Sequence, residues 1–256
     1  MLEYIVGTVA GEMPASFSTE ALKAQAVASY TYAKYITENS DENEAVLSDS
    51  SFVHQSYIDE TEQKAKWGEY YDEYKSKIED AVNDVLGQYL TFDGKTAMTV
   101  FHALSADITN STEEIWGEAT PYLVSVDSPS KETSEKTFSI AKEEFKNSFE
   151  EKGDIKLEGT DPRKWAKVIE KTDKGYIRRL SVGNKIFTAF EIMDILSLPS
   201  TNFTAKYEDG TFIFTAHGKG HGVGMSQYSA EYMATDGKSY TEILSHFYPG
   251  TLLVKE

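Results

Sequence analysis

The segment HGKGHGVGMSQYS, residues 217–229, constrains the fold of this chain more than any other. Gly218, Gly220, Gly222 and Gly224 alternate with other residues in it. Each glycine costs a helix interior about 1 kcal/mol relative to alanine, so this run disfavours a helix. Glycine also lets a backbone approach its neighbours closely, because it has no Cβ atom. The sequence therefore predicts a tight loop whose main chain lies against a ligand or a buried neighbour.

The side chains of this loop allow several interpretations. His217 and His221 are four residues apart, but that spacing places both rings on one face only in a helix, and no glutamate follows His217 as a catalytic base. We therefore expect no metal site, and the Lys-Ser/Thr ending of a phosphate-binding loop is missing too. Either His221, Ser226 and Gln227 offer hydrogen bonds to a ligand, or a histidine satisfies buried carbonyl groups in a structural turn.

Glu12 is the candidate acid of the chain. Gly11 allows the backbone to turn there, and Pro14 prevents the next helix from beginning early. A carboxyl beside Met13 and Phe17 would be partly desolvated, which raises its pKa and keeps it protonated for general acid catalysis. The alternative is a solvated turn residue, or an N-terminal partner of the following helix.

A second polar segment, residues 100–117, carries His102 and Ser105 at the end of a predicted strand. A capped surface loop is the favoured interpretation. A serine hydrolase would pair Ser105 with His102 or His221, but the chain contains no G-x-S-x-G nucleophile elbow.

The remaining pattern predicts an α+β fold, with mostly antiparallel strands packed with several helices. Residues 2–10 read as a strand, and residues 19–38 as a central helix rich in alanine. Further helices are predicted at 60–86 with a break near Gly68, at 142–150, from Thr188 through Leu196, after the glycine-rich loop to Thr235, and from Ser239 to before Pro249. Further strands are predicted at 122–126, 164–170, 176–182 and 185–187, with hairpin turns at Asp93-Gly94 and Asp209-Gly210.

Composition limits the possible functions. A net charge of −17 speaks against DNA or RNA as a partner, because phosphates require a basic surface. The absence of cysteine excludes disulfides, thiol nucleophiles and thiolate metal sites. No apolar run approaches the roughly 20 residues of a membrane span, and no signal peptide is recognisable at the start. We expect one domain over residues 1–256, with an insertion or subdomain at 130–163, the most charged and least patterned stretch.

These segments together resemble the stage II sporulation protein D family (the SpoIID/LytB domain). The resemblance runs from about Glu3 to Leu253 and is thin only across 130–163. It is carried, in order, by VGTVAGEMPASF, EALKAQAVASYTYA, WGE, DGKTAMTVFHALSADITNSTEEIWG, PYLVSVDSP, HGKGHGVGMSQYSAEYMA and EILSHFYPGT. The combination of the E-M-P turn, KAQAVA and HGxGHGxGMSQ is specific, whereas each motif alone is weak.

The resemblance implies an extracytoplasmic lytic transglycosylase that cuts MurNAc-GlcNAc bonds of peptide-free peptidoglycan strands during engulfment in a spore-forming bacterium. It implies that an N-terminal anchor, absent from this chain, tethers the full-length protein to the membrane, facing the cell wall or the intermembrane space. A sporulation amidase and other engulfment proteins are the implied partners, and no cofactor is implied.

The resemblance also implies the site. Glu12 corresponds to the family's catalytic glutamate, and one carboxyl suffices if the C6 hydroxyl of the muramic acid itself attacks the anomeric carbon. The residues expected to hold the sugars are Lys23, Gln25, Tyr30, Ser105, His221, Gly222, Ser226, Gln227 and Tyr228.

Three departures from the family pattern keep alternatives open. Tyr30 stands where the family helix usually has arginine, and Ala106-Asp107 follows Ser105 where a glycine pair is usual. The cysteines that bind zinc in some members are absent. The alternatives are a glycan-binding scaffold that does not cleave, or an amidase enhancer of the same fold.

Overall fold

The computed structural model of the protein describes residues 1–40, 55–132, 135–153, 155–157, 159 and 161–256. Its α-helices are α1 (Leu2–Glu12), α2 (Thr19–Asn39), α3 (Glu60–Trp67), α4 (Tyr71–Val85), α5 (Thr112–Trp116), α6 (Lys142–Glu150), α7 (Ala189–Ile195), α8 (Gln227–Thr235) and α9 (Tyr240–Phe247). Its strands are β1 (Gln88–Phe92), β2 (Lys95–Thr96), β3 (Phe101–His102), β4 (Asp107–Ile108), β5 (Asp127–Ser128), β6 (Glu135–Ala141), β7 (Ala166–Lys171), β8 (Ile177–Val182), β9 (Lys185–Thr188), β10 (Phe203–Glu208), β11 (Thr211–His217), β12 (Met225–Ser226) and β13 (Leu252–Lys255). Among these residues, no helix has the length and apolar content that crossing a membrane requires. The α+β class is confirmed.

The first element differs from its prediction, since residues 2–10 form helix α1 and not a strand. Six consecutive residues, 5–10, are all buried, so no polar face interrupts the apolar run. Periodicity cannot separate a short buried helix from a buried strand, and the strand prediction was wrong for that reason. Gly7 packs directly under the Tyr57 ring, which leaves no room for a side chain there.

Helix α2 is the centre of the main body, as predicted. It packs against α1, α4, α8, α9 and β1. Ala21, Ala24 and Ala28 are completely buried, because small side chains let the neighbouring elements approach closely. Ser18 occupies its N-cap position, but its backbone N–H and hydroxyl both donate to the Glu231 carboxylate of α8. This contact fixes α8 against the start of α2.

A short strand pair fixes the position of the end of the glycine-rich loop. β12 runs parallel to β3, with Met225 opposite Phe101 and Ser226 opposite His102. β1 pairs antiparallel with β2 through the predicted turn at Asp93-Gly94, and with β13 on its other side. The strand predicted at 122–126 is absent from this described stretch. Tyr122 and Leu123 pack into the core instead, and the Tyr122 hydroxyl accepts a hydrogen bond from the Met98 N–H at 2.6 Å.

Buried apolar side chains form two clusters within the described residues. The first joins α1, α2, α4, α8 and α9, while the second joins the antiparallel groups β10-β11-β6 and β7-β8-β9 to α6 and α7. Phe145 stacks on Phe212 in this second core, with ring centroids 4.0 Å apart. The core includes parts of residues 130–163 and continues to Ala216. That residues 130–163 are an insertion stays a prediction.

Candidate active site

Glu12 is the last residue of α1, and its carboxyl is held by two donors. Oε1 accepts from the Ser56 N–H at 2.5 Å, and Oε2 accepts from Nε2 of Gln227 at 3.3 Å. Burial raises the pKa of Glu12 above its ordinary value, and both hydrogen bonds oppose that shift. Its place at a helix C-terminus, where the dipole is negative, also disfavours the ionised form. The carboxyl is therefore partly shielded from bulk water, which favours its acid form relative to an exposed glutamate.

Gln227 connects the acid to the core of the fold. Its Nε2 also lies 3.3 Å from Oε1 of Gln25 on α2, and Nε2 of Gln25 donates to Ser29 Oγ at 3.0 Å. Gln25 is completely buried and Gln227 is 4% exposed, so these amides have fixed partners. The structure thus brings together Glu12, Gln25 and Gln227 from three separate helices.

Two lysines act on the Glu12 carboxyl, and sequence reasoning missed both. The ammonium group of Lys66, on α3, donates to the Ala10 carbonyl at 2.8 Å. Burial lowers the pKa of Lys66, an effect that the charge of Glu12 partly offsets. Lys219 belongs to the glycine-rich loop, and both cations lower the pKa of Glu12. No local pattern could have singled out Lys66, because only the packing of α3 on α1 brings it there.

The loop at 217–224 lies in close contact with neighbouring segments, as the spacing of its glycines predicts. Its glycines face backbone and side-chain atoms that leave no room for a Cβ atom. Gly224 has φ +70°, and a Cβ there would lie 2.0 Å from the Val100 carbonyl oxygen. A Cβ on Gly222 would lie 2.7 Å from the Tyr176 ring and 2.8 Å from Nδ2 of Asn110. The loop is therefore pressed onto the segment 100–110.

His221 of this loop lies close to His102 of β3, with ring centroids 5.6 Å apart. Nδ1 of His102 lies 3.0 Å from the Val223 carbonyl and must donate to it, so Nε2 accepts from the Ser105 hydroxyl. Nδ1 of His221 accepts from the Val223 N–H at 3.1 Å. Burial lowers the pKa of His102 to about 3 and that of His221 to about 4. Both rings are neutral at physiological pH.

Ser105 is only 2% exposed, and its hydroxyl already donates to His102. This pair has the hydrogen bond of a nucleophile and a base, but a substrate cannot reach the hydroxyl without movement of the loop. The contact of Ser105 with a sugar stays a prediction.

Lys23 and Tyr30, on α2, have partners away from the acid. Lys23 pairs with Asp84 at 2.9 Å and with Glu20 at 3.3 Å. The Tyr30 hydroxyl donates to the Glu256 carboxylate, and its ring is 8% exposed. The structure does not place either side chain beside Glu12, and their sugar contacts stay predictions.

Ser226 and Tyr228 flank Gln227. Ser226 is completely buried and accepts from Ser229 Oγ at 3.1 Å. Tyr228 packs edge-on against Phe17, with centroids 5.2 Å apart. Both fix the start of α8, and a contact of either one with a ligand stays a prediction, as it does for Gly222.

Comparison with known proteins agrees with these motifs. The family model described as Stage II sporulation protein matches residues 1–92. A Stage II sporulation protein D from Bacillus amyloliquefaciens is 36% identical, over 97% of this chain and 72% of its own length. A protein of the same name from Bacillus subtilis (strain 168) is 35% identical, over 97% of this chain and 73% of its own length.

The Amidase enhancer of Bacillus subtilis (strain 168) is more distant, at 24% identity over 96% of this chain and 40% of that protein. Identity of 36% and 35% across nearly the whole chain, shared with two relatives of one name, is decisive. The chain belongs to the stage II sporulation protein D family.

Proposed function

We propose that this protein is a peptidoglycan lytic transglycosylase that acts in engulfment during sporulation, with Glu12 as its acid and base. One observation carries the proposal. The Glu12 carboxyl has a pKa raised by burial, and it is clamped between a backbone N–H and Gln227, which follows the glycine-rich loop. A solvated turn residue would have neither property.

The surroundings of Glu12 favour a reaction with one carboxyl. Glycosidases that use water generally employ two carboxyl groups, one as the acid and one as base or nucleophile. Among the residues that the structure describes, the charges that act on Glu12 are instead the ammonium groups of Lys66 and Lys219. A reaction in which the substrate supplies its own nucleophile needs no second carboxylate.

The proposed reaction balances without water. Glu12 gives its proton to the oxygen that links the anomeric carbon of MurNAc to the next GlcNAc, and that C–O bond breaks. The C6 hydroxyl of the same MurNAc forms a new bond to the anomeric carbon and returns its proton to Glu12. The products are a 1,6-anhydro-MurNAc end and a free GlcNAc 4-hydroxyl.

The same surroundings suit both protonation states of Glu12. Burial favours the acid before the proton is transferred. The donors on Ser56 and Gln227, with the two lysines, stabilise the carboxylate that exists after the transfer. Acid–base assistance of this kind typically contributes about 10²–10⁴ in rate.

The setting of the activity is part of the proposal. The names of the two relatives refer to stage II of sporulation, which supports a role there. The more distant Amidase enhancer supports a sporulation amidase as a partner. We place the site outside the cytoplasm, facing the cell wall, with membrane attachment in the full-length protein.

A glycan-binding role without cleavage has one observation in its favour. Tyr30 stands where arginine is usual in the family helix, and its hydroxyl is bound by Glu256. The hydroxyl at this position is therefore occupied by the chain's own carboxylate, and the position offers no cation to a ligand.

Mass spectrometry of peptide-free glycan strands after incubation separates these functions. We expect 1,6-anhydro-MurNAc ends. Reducing ends would show hydrolysis and overturn the proposed reaction, and intact strands that remain bound would show a scaffold.

A further inference from the structure

Gln25 lies one hydrogen bond away from a group that holds the Glu12 carboxyl. Its Oε1 accepts from Nε2 of Gln227 at 3.3 Å, and the same Nε2 donates to Oε2 of Glu12 at 3.3 Å. An amide nitrogen carries two hydrogens, so Gln227 can serve both oxygens at once. The three side chains therefore form a series of hydrogen bonds that runs from Glu12 into helix α2.

The side chain of Gln25 is enclosed by the fold. It is completely buried, and its Nε2 donates to the hydroxyl oxygen of Ser29 at 3.0 Å, one turn further along α2. Ser29 is completely buried as well. Gln25 therefore acts on the acid through Gln227 and not by direct contact.

The oxygen of Gln25 decides which end of the Gln227 amide faces Glu12. If the Gln227 amide turned over, its own oxygen would face Oε1 of Gln25, and two acceptors would meet without a hydrogen between them. A buried acceptor without a donor is unfavourable, because it has given up its hydrogen bonds to water. The amide therefore presents its N–H, and not its oxygen, to the acid.

The direction of this amide affects both halves of the proposed reaction. An N–H donor stabilises the carboxylate that Glu12 becomes after it has protonated the leaving oxygen, and it lowers the pKa of Glu12 against the effect of burial. An amide oxygen would instead accept the proton of the acid form and compete for it with the glycosidic oxygen. A reversed amide would therefore slow cleavage and raise the pKa of Glu12.

We propose that Gln25 is a positioning residue for the acid, which keeps the Gln227 amide turned with its N–H towards Glu12. Lys66 and Lys219 act on Glu12 through their charge, whereas Gln25 acts through the direction of one hydrogen bond. Its effect on cleavage rests on the proposed function, but its effect on the protonation of Glu12 does not.

Gln25→Met tests the assignment, because methionine is similar in length but offers only a weak sulfur acceptor. We expect kcat on peptide-free glycan to fall about tenfold, since a hydrogen bond to the developing carboxylate is lost. Gln227→Met, which removes the donor itself, should lower kcat by about tenfold to a hundredfold. KM should stay unchanged in Gln25→Met, because a completely buried side chain does not contact the substrate.

The double variant decides whether Gln25 acts through Gln227. Adding Gln25→Met to Gln227→Met should lower kcat no further, because the amide that Gln25 directs is gone. A purely structural role would add its own effect in both backgrounds. Thr31→Val is the control, since Thr31 is a completely buried residue of the same helix whose hydroxyl accepts from the Leu90 N–H at 3.0 Å. It should lower stability and leave kcat unchanged.

Gln25→Glu is the conservative variant. A carboxyl keeps an oxygen acceptor for Gln227 in either protonation state, so the direction of the amide is retained. The plateau of kcat should therefore stay close to that of the wild type, and a fall as large as in Gln25→Met would overturn the role. Urea denaturation establishes that each variant is folded. If Gln25→Met is not, Ser29→Ala takes its place, because it frees the Gln25 amide and should change kcat in the same direction.

The titration of Glu12 is measured without any substrate, by NMR of the side-chain carboxyl carbons. The loss of one signal in Glu12→Gln assigns the resonance. Gln25→Met should move this titration to higher pH, and it should cause no further shift when Gln227→Met is already present.

A titration and a kcat that are unchanged in Gln25→Met, or effects that persist in full in the Gln227→Met background, would overturn the positioning role. A protein that shows the expected shift of the Glu12 titration but does not cleave glycan would overturn the proposed reaction. The role of Gln25 in setting the protonation of Glu12 would then still stand.

Discussion

Gln227 donates its side-chain amide to Glu12 at 3.3 Å, although 215 positions separate the two residues in the chain. Gln227 is the first residue of α8 and Glu12 the last of α1. This contact joins the end of the glycine-rich loop to the acid. It also gives the acid an uncharged donor that stabilises its carboxylate form and so opposes the rise in the pKa of Glu12 that burial causes.

Glu12→Gln should lower the rate of glycan cleavage by about 10²–10⁴, because the amide cannot donate a proton to the leaving oxygen. Since burial raises the folded-state pKa of Glu12, its ionised form destabilises the fold, increasingly as pH rises through that pKa. The variant should therefore be at least as stable as the wild type at neutral pH. Anhydro products measured by mass spectrometry and urea denaturation check both statements. Glu3→Gln, on the exposed end of the same helix, is the control, and comparable product from Glu12→Gln would refute the role.

Lys66→Gln should move the alkaline limb of the pH–rate profile to higher pH. The Lys66 charge lowers the pKa of Glu12, so its removal lets that pKa rise further, and the acid stays protonated to a higher pH. Lys64→Gln is the matched control, because Lys64 lies on the same helix but pairs with Glu60. An alkaline limb that moves equally in both variants, or in neither, would contradict the assignment.

Gly224→Ala should destabilise the fold far more than Gly237→Ala. Both glycines have positive φ, 70° and 87°, which costs an alanine about 1–2 kcal/mol. At Gly224 the new Cβ would also lie 2.0 Å from the Val100 carbonyl oxygen, whereas at Gly237 it meets nothing within 4 Å. Overpacking adds about 1–3 kcal/mol. Urea denaturation of the two variants measures the difference, and equal losses would show that the loop moves aside freely.

Acid should destabilise the protein through His102, which is buried, and His221, which is partly buried. The folded-state pKa values of His102 and His221 are about 3 and about 4, below the ordinary 6.5, so protons bind the unfolded chain better below pH 6.5. Above that pH the histidines do not lower the free energy of unfolding. Below it the free energy of unfolding falls as pH drops towards 4, and the loss at pH 5 is about 2 kcal/mol for each histidine. Denaturation at pH 7 and pH 5 measures this loss. His102→Gln should lose roughly half of the dependence, and an unchanged dependence would place its origin elsewhere.

Elements defined by local chemistry were predictable. The predicted starts of α7 and α9 are correct, because each is set by a capping box, Thr188–Glu191 and Ser239–Glu242, that needs only residues three apart. The turns at Asp93-Gly94 and Asp209-Gly210 were also predicted correctly, since few residues tolerate positive φ. Helix α1 was missed because a completely buried segment has no polar face to mark its period.

The sequence by itself determined that a glycine-rich loop and an E-M-P turn exist, and the resemblance singled out Glu12 as the acid. Only the tertiary structure decided what surrounds that carboxyl. Ser56, Lys66 and Gln227 reach it from three other parts of the chain, and Gln25 meets Gln227 although 202 positions separate them. The pKa of a carboxyl depends on burial and on charges within a few ångströms, and these are set by packing between distant segments.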